Sequence, residues 1–349
     1  METARENLKA AAAERILIKD GPYGTAIQKA KLAAKDYAGD TSLAQDQKGN
    51  NDLVNLTQPQ IIRAICDSYI DAGATVLATN TFNANRISQA DYGAEHLVRE
   101  INVAAARIIR EACEEATAKD GIPRFVCGAM GPTNKTLSLS PDVDDPGYRE
   151  VTFDEMKDVY REQAAALVEG GADFILIETV FDTLNCKAAI MAVKELEAEQ
   201  GREIPLMISL TLTDLSGRNL SGHTVEAFWY TVRHARPVTI GLNCSFGADQ
   251  LRPHVQLLSG IADALLMAYP NAGLPNELGE YDELPETTAA LVRQWAEGGR
   301  VNILGGCCGS TPEHIAAVAK AVEGIAPRPV PALAHEMRLA GLEPFTITA

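Results

Sequence analysis

The stretch VNILGGCCGSTPEHI, residues 301–315, decides the fold because it joins an apolar run directly to the start of a helix. Residues 301–309 are first apolar and then rich in glycine, as expected for a buried parallel strand that ends in a loop. Residues 310–313 supply an N-cap, a first-turn proline and a capping-box acid, which predicts a helix with Ser310 as its N-cap. A strand followed at once by a helix is the repeating unit of an α/β protein.

Seven further apolar runs precede this one along the chain. They cover residues 15–21, 74–82, 124–132, 172–181, 205–214, 237–245 and 262–273. Amphipathic segments lie between them and predict helices, among them residues 60–72, 94–119, 153–170 and 289–298. Eight strand–helix pairs in about 310 residues fit a single closed (β/α)8 barrel better than an open doubly wound sheet.

The two ends of the chain lie outside this alternation. The segment ENLKAAAAERI, residues 6–16, predicts a helix that covers the bottom of the barrel. The tail, residues 326–349, has three prolines in its first six residues, which is typical of a linker or arm. We therefore predict a barrel domain over residues 1–325 with an N-terminal helical extension, and a linker-like tail over residues 326–349.

Composition excludes several classes of protein. The 349 residues are 46% hydrophobic and 22% charged, as in a globular protein. A formal net charge of −16 would repel a phosphate backbone, so a nucleic-acid partner is not expected. No apolar run reaches the roughly 18 residues that cross a bilayer, and the N-terminus lacks the apolar core of a signal peptide. We expect a cytoplasmic protein that has no membrane partner.

The loops differ at the two ends of the predicted barrel. Segments that enter strands are short and glycine-rich, whereas several that leave strands are long and polar, at residues 22–58, 132–152, 213–223 and 271–287. In barrels of this type the loops that follow the strands build the active site. The functional face is therefore predicted at the carboxyl ends of the strands.

Seven cysteines divide into two groups. Four of them lie within apolar helix or strand patterns and are expected to be small buried side chains, namely Cys66, Cys113, Cys127 and Cys186. The others, Cys244, Cys307 and Cys308, follow apolar runs and are flanked by glycine, serine or asparagine. Because Cys244 ends the sixth strand and the vicinal pair ends the eighth, barrel closure should bring all three thiols to one rim.

Three thiolates would leave a tetrahedral zinc ion with one open position, which is typical of a catalytic site. A vicinal cysteine pair in a regular strand points to opposite faces, but the glycines around Cys307 and Cys308 allow the backbone to leave the β region. The histidines do not look like ligands, since His314 lies on the following helix. Buried or merely reactive cysteines remain the alternative interpretation of the three thiols.

The chain resembles the homocysteine S-methyltransferase family through motifs spread over nearly its whole length. They are DGPYGT at 20–25, QKGNNDLVNLTQP at 47–59, TNTFNAN at 79–85, GAMGPTNKTLSLSPDV at 128–143, LIETVFDTLNCKAA at 176–189, TDLSGRNLSGHT at 213–224, GLNCSFGADQLRP at 241–253, NAGLPNELGEYD at 271–282 and NILGGCCGSTPEHI at 302–315. Within the family it is most similar to the N-terminal homocysteine-binding module of cobalamin-dependent methionine synthase.

This resemblance implies a role for each matching position. It makes Cys244, Cys307 and Cys308 the zinc ligands and catalytic residues, and it makes Asp20 and Glu178 the acids that hold the substrate ammonium group. The turn that carries Gly21, Tyr23 and Gly24, together with Thr79 and Thr81, would bind the substrate carboxylate through N–H and hydroxyl groups.

The sequence departs from the family pattern at two positions near that pocket. Pro22 has no N–H to donate, so a contact made there in relatives is lost or moved to Tyr23 or Gly24. Ala78 stands where relatives often carry an acid. Both departures leave the details of the amino-acid pocket open.

The resemblance further implies methylation of homocysteine to methionine, with methylcobalamin as the donor. The chain has no DxHxxG-like segment for a histidine-ligated corrin, so the donor should arrive on a partner that carries cobalamin- and folate-binding modules. A homocysteine methyltransferase that uses S-methylmethionine or betaine is the first alternative. A non-catalytic zinc-binding scaffold subunit is the second.

Overall fold

The computed structural model describes residues 3–334 and 336–347. Its main sheet has eight strands in the order β1-β8-β7-β6-β5-β4-β3-β2, and every pair is parallel. The strands are β1 Leu17–Ile18, β2 Val76–Ala78, β3 Phe125–Met130, β4 Phe174–Val180, β5 Leu206–Leu210, β6 Thr239–Gly247, β7 Leu265–Asn271 and β8 Ile303–Leu304. Each lies in or overlaps a predicted apolar run, and the (β/α)8 prediction is confirmed.

The barrel closes between β1 and β2 through a short junction. Lys19 forms an isolated parallel bridge with Val76. Two backbone hydrogen bonds flank it, from the N–H of Thr75 to the carbonyl of Ile18 at 2.8 Å and from the N–H of Asp20 to the carbonyl of Val76 at 3.0 Å. The residues that follow β1 therefore complete the wall of the barrel.

Thirteen α-helices are described. They are α1 Ala4–Glu14, α2 Tyr23–Lys29, α3 Ala34–Ala38, α4 Val54–Thr57, α5 Pro59–Asp71, α6 Arg86–Gln89, α7 Val98–Asp120, α8 Phe153–Gly170, α9 Thr183–Gln200, α10 Val225–Val232, α11 Ala248–Ile261, α12 Pro285–Glu297 and α13 Pro312–Val322, with 3-10 turns at Ala90–Tyr92, Glu95–Leu97 and Arg233–Ala235. The predicted helix at 153–170 coincides with α8. None of the described helices is both long and apolar enough to cross a bilayer.

One predicted helix start is wrong by one residue. The N-cap of α13 is Thr311 rather than Ser310, and its hydroxyl accepts from the N–H of His314. The capping box is closed by the His314 ring rather than by Glu313. A histidine at the third helical position performs the role that the sequence pattern assigns to an acid.

Helix α1 closes the amino end of the barrel, as predicted. Its buried side chains Leu8 and Ala12 belong to the same apolar cluster as Phe125, Phe174 and Leu265, each the first residue of its strand. A capping box at Thr3 and Glu6 stabilises the start of this helix. The bottom of the barrel is therefore filled, and the interior is accessible from the carboxyl ends of the strands.

The tail region after α13 lies against the barrel. Arg328 is buried, and its guanidinium donates to the carbonyls of Ser259, Ala262 and Ala264. Farther along, β9 (Met337–Ala340) and β10 (Pro344–Ile347) form an antiparallel hairpin. The hairpin contacts α10, where the guanidinium of Arg338 lies 5.7 Å from the centre of the Tyr230 ring.

Candidate active site: three thiols at the mouth of the barrel

The three predicted zinc ligands converge at the carboxyl ends of β6 and β8. The Sγ atoms of Cys244, Cys307 and Cys308 all lie within 4.8 Å of one another, and those of Cys244 and Cys308 are 3.8 Å apart. Three sulfurs around a tetrahedral zinc ion with Zn–S bonds of about 2.3 Å are about 3.8 Å apart. All three residues are half-buried, so the cluster is reachable from the mouth.

An unusual backbone turns Cys244 toward the pair. Cys244 and Ser245 have φ values of 62° and 60°, in the left-handed region that non-glycine residues rarely adopt. The register between β6 and β7 shifts between Asn243 and Gly247, which marks a bulge at this point. The bend at the end of β6 therefore directs the thiol of Cys244 toward Cys307 and Cys308.

The glycines around the vicinal pair have two distinct functions. Gly309 adopts a φ of 79°, so it supplies the left-handed residue directly after Cys308. Gly306 is required for space, because a Cβ there would lie 2.4 Å from the hydroxyl of Ser310. The N–H of Cys307 donates to the carbonyl of Pro270 at 2.8 Å, which ties the loop to the end of β7.

The thiols of this cluster differ in acidity. Hydrogen bonds from Cys244 and Cys307 lower the pKa of Cys308 to about 3. Donating to its two neighbours raises the pKa of Cys307, and burial adds to this effect. Cys308 is therefore the most acidic of the three thiols, and a bound cation would favour deprotonation of all of them.

A cavity of about 320 Å³ opens beside the cluster and brings together almost all the predicted site residues. Its wall includes the three cysteines and the predicted substrate-binding residues Gly21, Tyr23, Gly24, Thr79, Thr81 and Glu178. Asp20 is fully buried behind the wall. A larger groove of about 1320 Å³, between α1, the end of α9 and the tail, contains none of these residues.

Glu178 is held in the cavity by a tyrosine. Its Oε2 accepts a hydrogen bond from the Tyr269 hydroxyl at 2.9 Å. Burial raises the pKa of the Glu178 carboxyl, although the positive charge of Lys19 opposes this shift. A carboxylate in such a place favours a cationic partner.

Asp20 already has two partners within the protein. Its Oδ1 lies 2.8 Å from Nζ of Lys19, and its Oδ2 accepts from the N–H of Ala78 at 2.8 Å. Burial raises the pKa of Asp20, and the ammonium group of Lys19 counteracts that effect. Ala78, where the side chain departs from the family pattern, thus contributes through its backbone.

The hydroxyl groups of Thr79 and Thr81 form an internal chain. Thr81 donates to the carbonyl of Ala129 at 2.7 Å, and the N–H of Ala129 donates to the Thr79 hydroxyl at 2.9 Å. The two hydroxyl oxygens are 2.6 Å apart, so Thr79 donates its proton to Thr81. Both hydroxyl protons therefore form hydrogen bonds within the protein, between the ends of β2 and β3.

His314 is a packing residue, as expected. Its Nε2 lies 2.8 Å from the carbonyl of Glu283, and its Nδ1 accepts from Thr311. Both ring nitrogens are occupied within the protein, and the ring is buried. It supplies no fourth ligand to the thiol cluster.

Sequence reasoning missed three residues of the site. Lys19 and Tyr269 lie in the cavity wall, and Asn243 bonds the backbone N–H and hydroxyl of Thr179 as well as the hydroxyl of Ser209. A lysine within ILIKDG and a tyrosine within LLMAYPN interrupt apolar strands, where a polar group is costly unless it has a partner. The same cost of burying an unpaired polar group identifies Glu178 in its strand, and it would also have identified Lys19.

Comparisons with known proteins give a matching family model and solved structures of similar fold. The family model described as homocysteine S-methyltransferase matches residues 17–322. The crystal structure of the homocysteine methyltransferase MmuM from Escherichia coli in its metallated form is 22% identical, with a TM-score of 0.69 over 89% of this chain and 98% of that one. The apo form of MmuM gives a TM-score of 0.63 at 22% identity, over 88% and 96%.

Proposed function

Because the chain belongs to the homocysteine S-methyltransferase family, its reaction is methyl transfer to the thiol of homocysteine, and we propose that it is zinc-dependent and uses methylcobalamin carried by a partner. The product would be methionine. The observation that carries this proposal is the convergence of Cys244, Cys307 and Cys308 beside a cavity that also contains Glu178.

The donor set fits zinc. Three sulfurs at these separations could coordinate one zinc ion and would leave a position for the substrate sulfur. Cys244, Cys307 and Cys308 would hold the ion. Zinc bound there would lower the pKa of the incoming thiol and keep it as the nucleophilic thiolate.

The rest of the cavity suits the amino-acid end of homocysteine. Glu178, oriented by Tyr269, would accept the substrate ammonium group, whereas Asp20 lies behind the wall and would hold Lys19 in place. Gly21, Tyr23 and Gly24 border the same space, as do Thr79 and Thr81, and they would enclose the carboxylate. The burial of Glu178 supports this assignment, because a buried carboxylate gains most from a cationic ligand.

The loops around the mouth support delivery of the donor by a partner protein. Several large apolar side chains on loops that follow strands are exposed, including Val143 at 96%, Leu278 at 83% and Leu215 at 77%. Tyr148, Leu220 and Leu274 belong to the same loops, and we call these six residues the apolar rim. Exposed apolar side chains on neighbouring loops are suited to a protein–protein contact. The occupant would be the module that carries methylcobalamin.

One assay separates this proposal from its alternatives. The zinc-loaded chain is incubated with homocysteine and, in parallel, with free methylcobalamin, S-methylmethionine or betaine, and methionine is quantified. We expect methionine from methylcobalamin and none from the two small donors. The reverse pattern would place the chain among the small-donor enzymes. No methionine from any donor, with homocysteine leaving the zinc ligands unchanged, would favour the scaffold subunit.

A further inference from the structure

Lys19 is a buried cation whose hydrogen-bonding capacity is only partly used. Its side chain is 4% exposed, and its Nζ contacts Oδ1 of Asp20 at 2.8 Å. The same atom lies 4.5 Å from the centre of the Tyr269 ring, so a second N–H can face the aromatic surface. An ammonium group has three N–H donors. Among the described residues, no acceptor other than Asp20 forms a hydrogen bond with it.

Lys19 and Glu178 place opposite charges around one aromatic side chain. Lys19 lies over the face of Tyr269, and Glu178 accepts from its hydroxyl. Both charged residues border the cavity that contains Cys307 and Cys308. An α-amino acid carries one positive and one negative group on the same carbon atom. The wall therefore has the charge pattern that complements such a zwitterion.

The threonine hydroxyls and Pro22 near the cavity have no free donor for a carboxylate. The hydroxyl protons of Thr79 and Thr81 are used within the internal chain that ends at Ala129. Pro22 has no N–H. The unused N–H of Lys19 is a charged donor, and hydrogen bonds between charged groups are the stronger class.

We propose that Lys19 binds the α-carboxylate of the substrate and thereby makes the enzyme select amino-acid thiols over simple aminothiols. This inference rests on the proposed function, because it assumes that homocysteine enters this cavity with its sulfur toward the three cysteines. Lys19 is a specificity-determining residue, while Glu178 binds the opposite end of the zwitterion. Asp20 compensates the charge of Lys19 and holds its ammonium group in place.

The test compares three thiols that differ only in their charged groups. L-homocysteine has both groups, 3-mercaptopropylamine lacks the carboxylate, and 4-mercaptobutanoate lacks the amine. Their affinities for the zinc-loaded chain are measured by calorimetry without any methyl donor. Lys19→Met is studied alone and with Asp20→Asn, because the double variant leaves no buried carboxylate without its partner.

In the double variant we expect L-homocysteine and 4-mercaptobutanoate to bind about 10-fold to 100-fold more weakly, with 3-mercaptopropylamine unchanged. Glu178→Gln should show the complementary pattern and weaken the two amines but not 4-mercaptobutanoate. An equal loss for all three thiols in the Lys19 variants, or no loss, would overturn the inference, since a purely structural role predicts that result. If the zinc-loaded wild type binds none of the thiols, the proposed function itself fails.

Discussion

The sulfur atoms of Cys244 and Cys308 lie 3.8 Å apart although 64 positions separate the two residues in the chain. The barrel produces this contact, because the carboxyl ends of β6 and β8 open at the same rim. The left-handed backbone at Cys244 then turns its side chain toward the pair. The separation is that of two sulfurs on one tetrahedral zinc ion.

Cys308→Ala should remove most of the bound metal. We expect about one zinc ion per wild-type chain, falling sharply in the variant, because two protein sulfurs hold zinc far less tightly than three. Metal analysis after dialysis measures the content. X-ray absorption should show three sulfur neighbours in the wild type and four after homocysteine is added. Cys113→Ala, a buried cysteine of α7, is the matched control and should retain its zinc.

Glu178→Gln should raise the KM for homocysteine by about 10-fold or more and change kcat less, since it removes the charge that faces the substrate ammonium. Tyr269→Phe should have a smaller effect in the same direction, because it deletes only the hydroxyl that orients Glu178. Steady-state kinetics with saturating donor measure both. A fall in kcat at unchanged KM would show instead that Glu178 acts on the transferred group.

Asp52 should make stability depend on pH. Burial raises the pKa of this carboxyl from 3.8 to about 7, while a hydrogen bond from the N–H of Asn83 opposes the shift. The folded protein therefore binds this proton more tightly than the unfolded chain. The stabilisation is complete below pH 3.8 and is lost as the pH rises through about 7.

Asp52→Asn removes this dependence and retains an acceptor for Asn83. The thermal midpoints of the wild type and of Asp52→Asn at pH 5 and pH 8 measure the pH dependence of stability. The wild type should lose stability relative to the variant on going to pH 8, by an amount on the order of a few kcal/mol. Glu277→Gln, in an exposed loop, serves as the charge control. A constant difference between wild type and Asp52→Asn across this range would contradict the assignment.

Leu215→Asp combined with Leu278→Asp should impair transfer from a partner-borne donor. Two charges on the apolar rim would oppose docking, so we expect a higher KM for the partner with methyl transfer from free methylcobalamin unchanged. Leu257→Asp, on the outer surface of α11, is the matched control and should behave as the wild type. Equal effects of the rim and control variants would show that the apolar rim does not bind the partner.

The alternation of apolar runs and amphipathic segments was sufficient to predict the barrel, because parallel strands buried on both faces have few other arrangements. The meeting of Cys244 with Cys307 and Cys308 followed from the closure of the barrel. The partnership of Lys19 with Asp20 and Tyr269 did not follow, because it depends on which way side chains point at the end of a two-residue strand.

The tail shows a second limit of sequence reasoning. Its early prolines predict a linker or arm but do not indicate where it lies; in the structure Arg328 is anchored to three carbonyls of the barrel and a hairpin follows it. The alternation of exposed and half-buried residues in β9 and β10 depends on the surface of α10. A short alternating pattern of that kind does not predict a strand unless the surface against which it packs is known.

The junction between β1 and β2 connects the candidate site to the closure of the barrel. Two backbone hydrogen bonds join the strands at this junction. The carboxylate of Asp20 also accepts a hydrogen bond from the N–H of Ala78, so a charged side chain connects the two strands. Lys19 balances that charge from the cavity side. A ligand that drew the ammonium group away from Asp20 would leave this buried carboxylate without its counter-charge in the wall of the barrel. We therefore expect a ligand that binds Lys19 to change the stability of the whole barrel as well as the charge of the cavity.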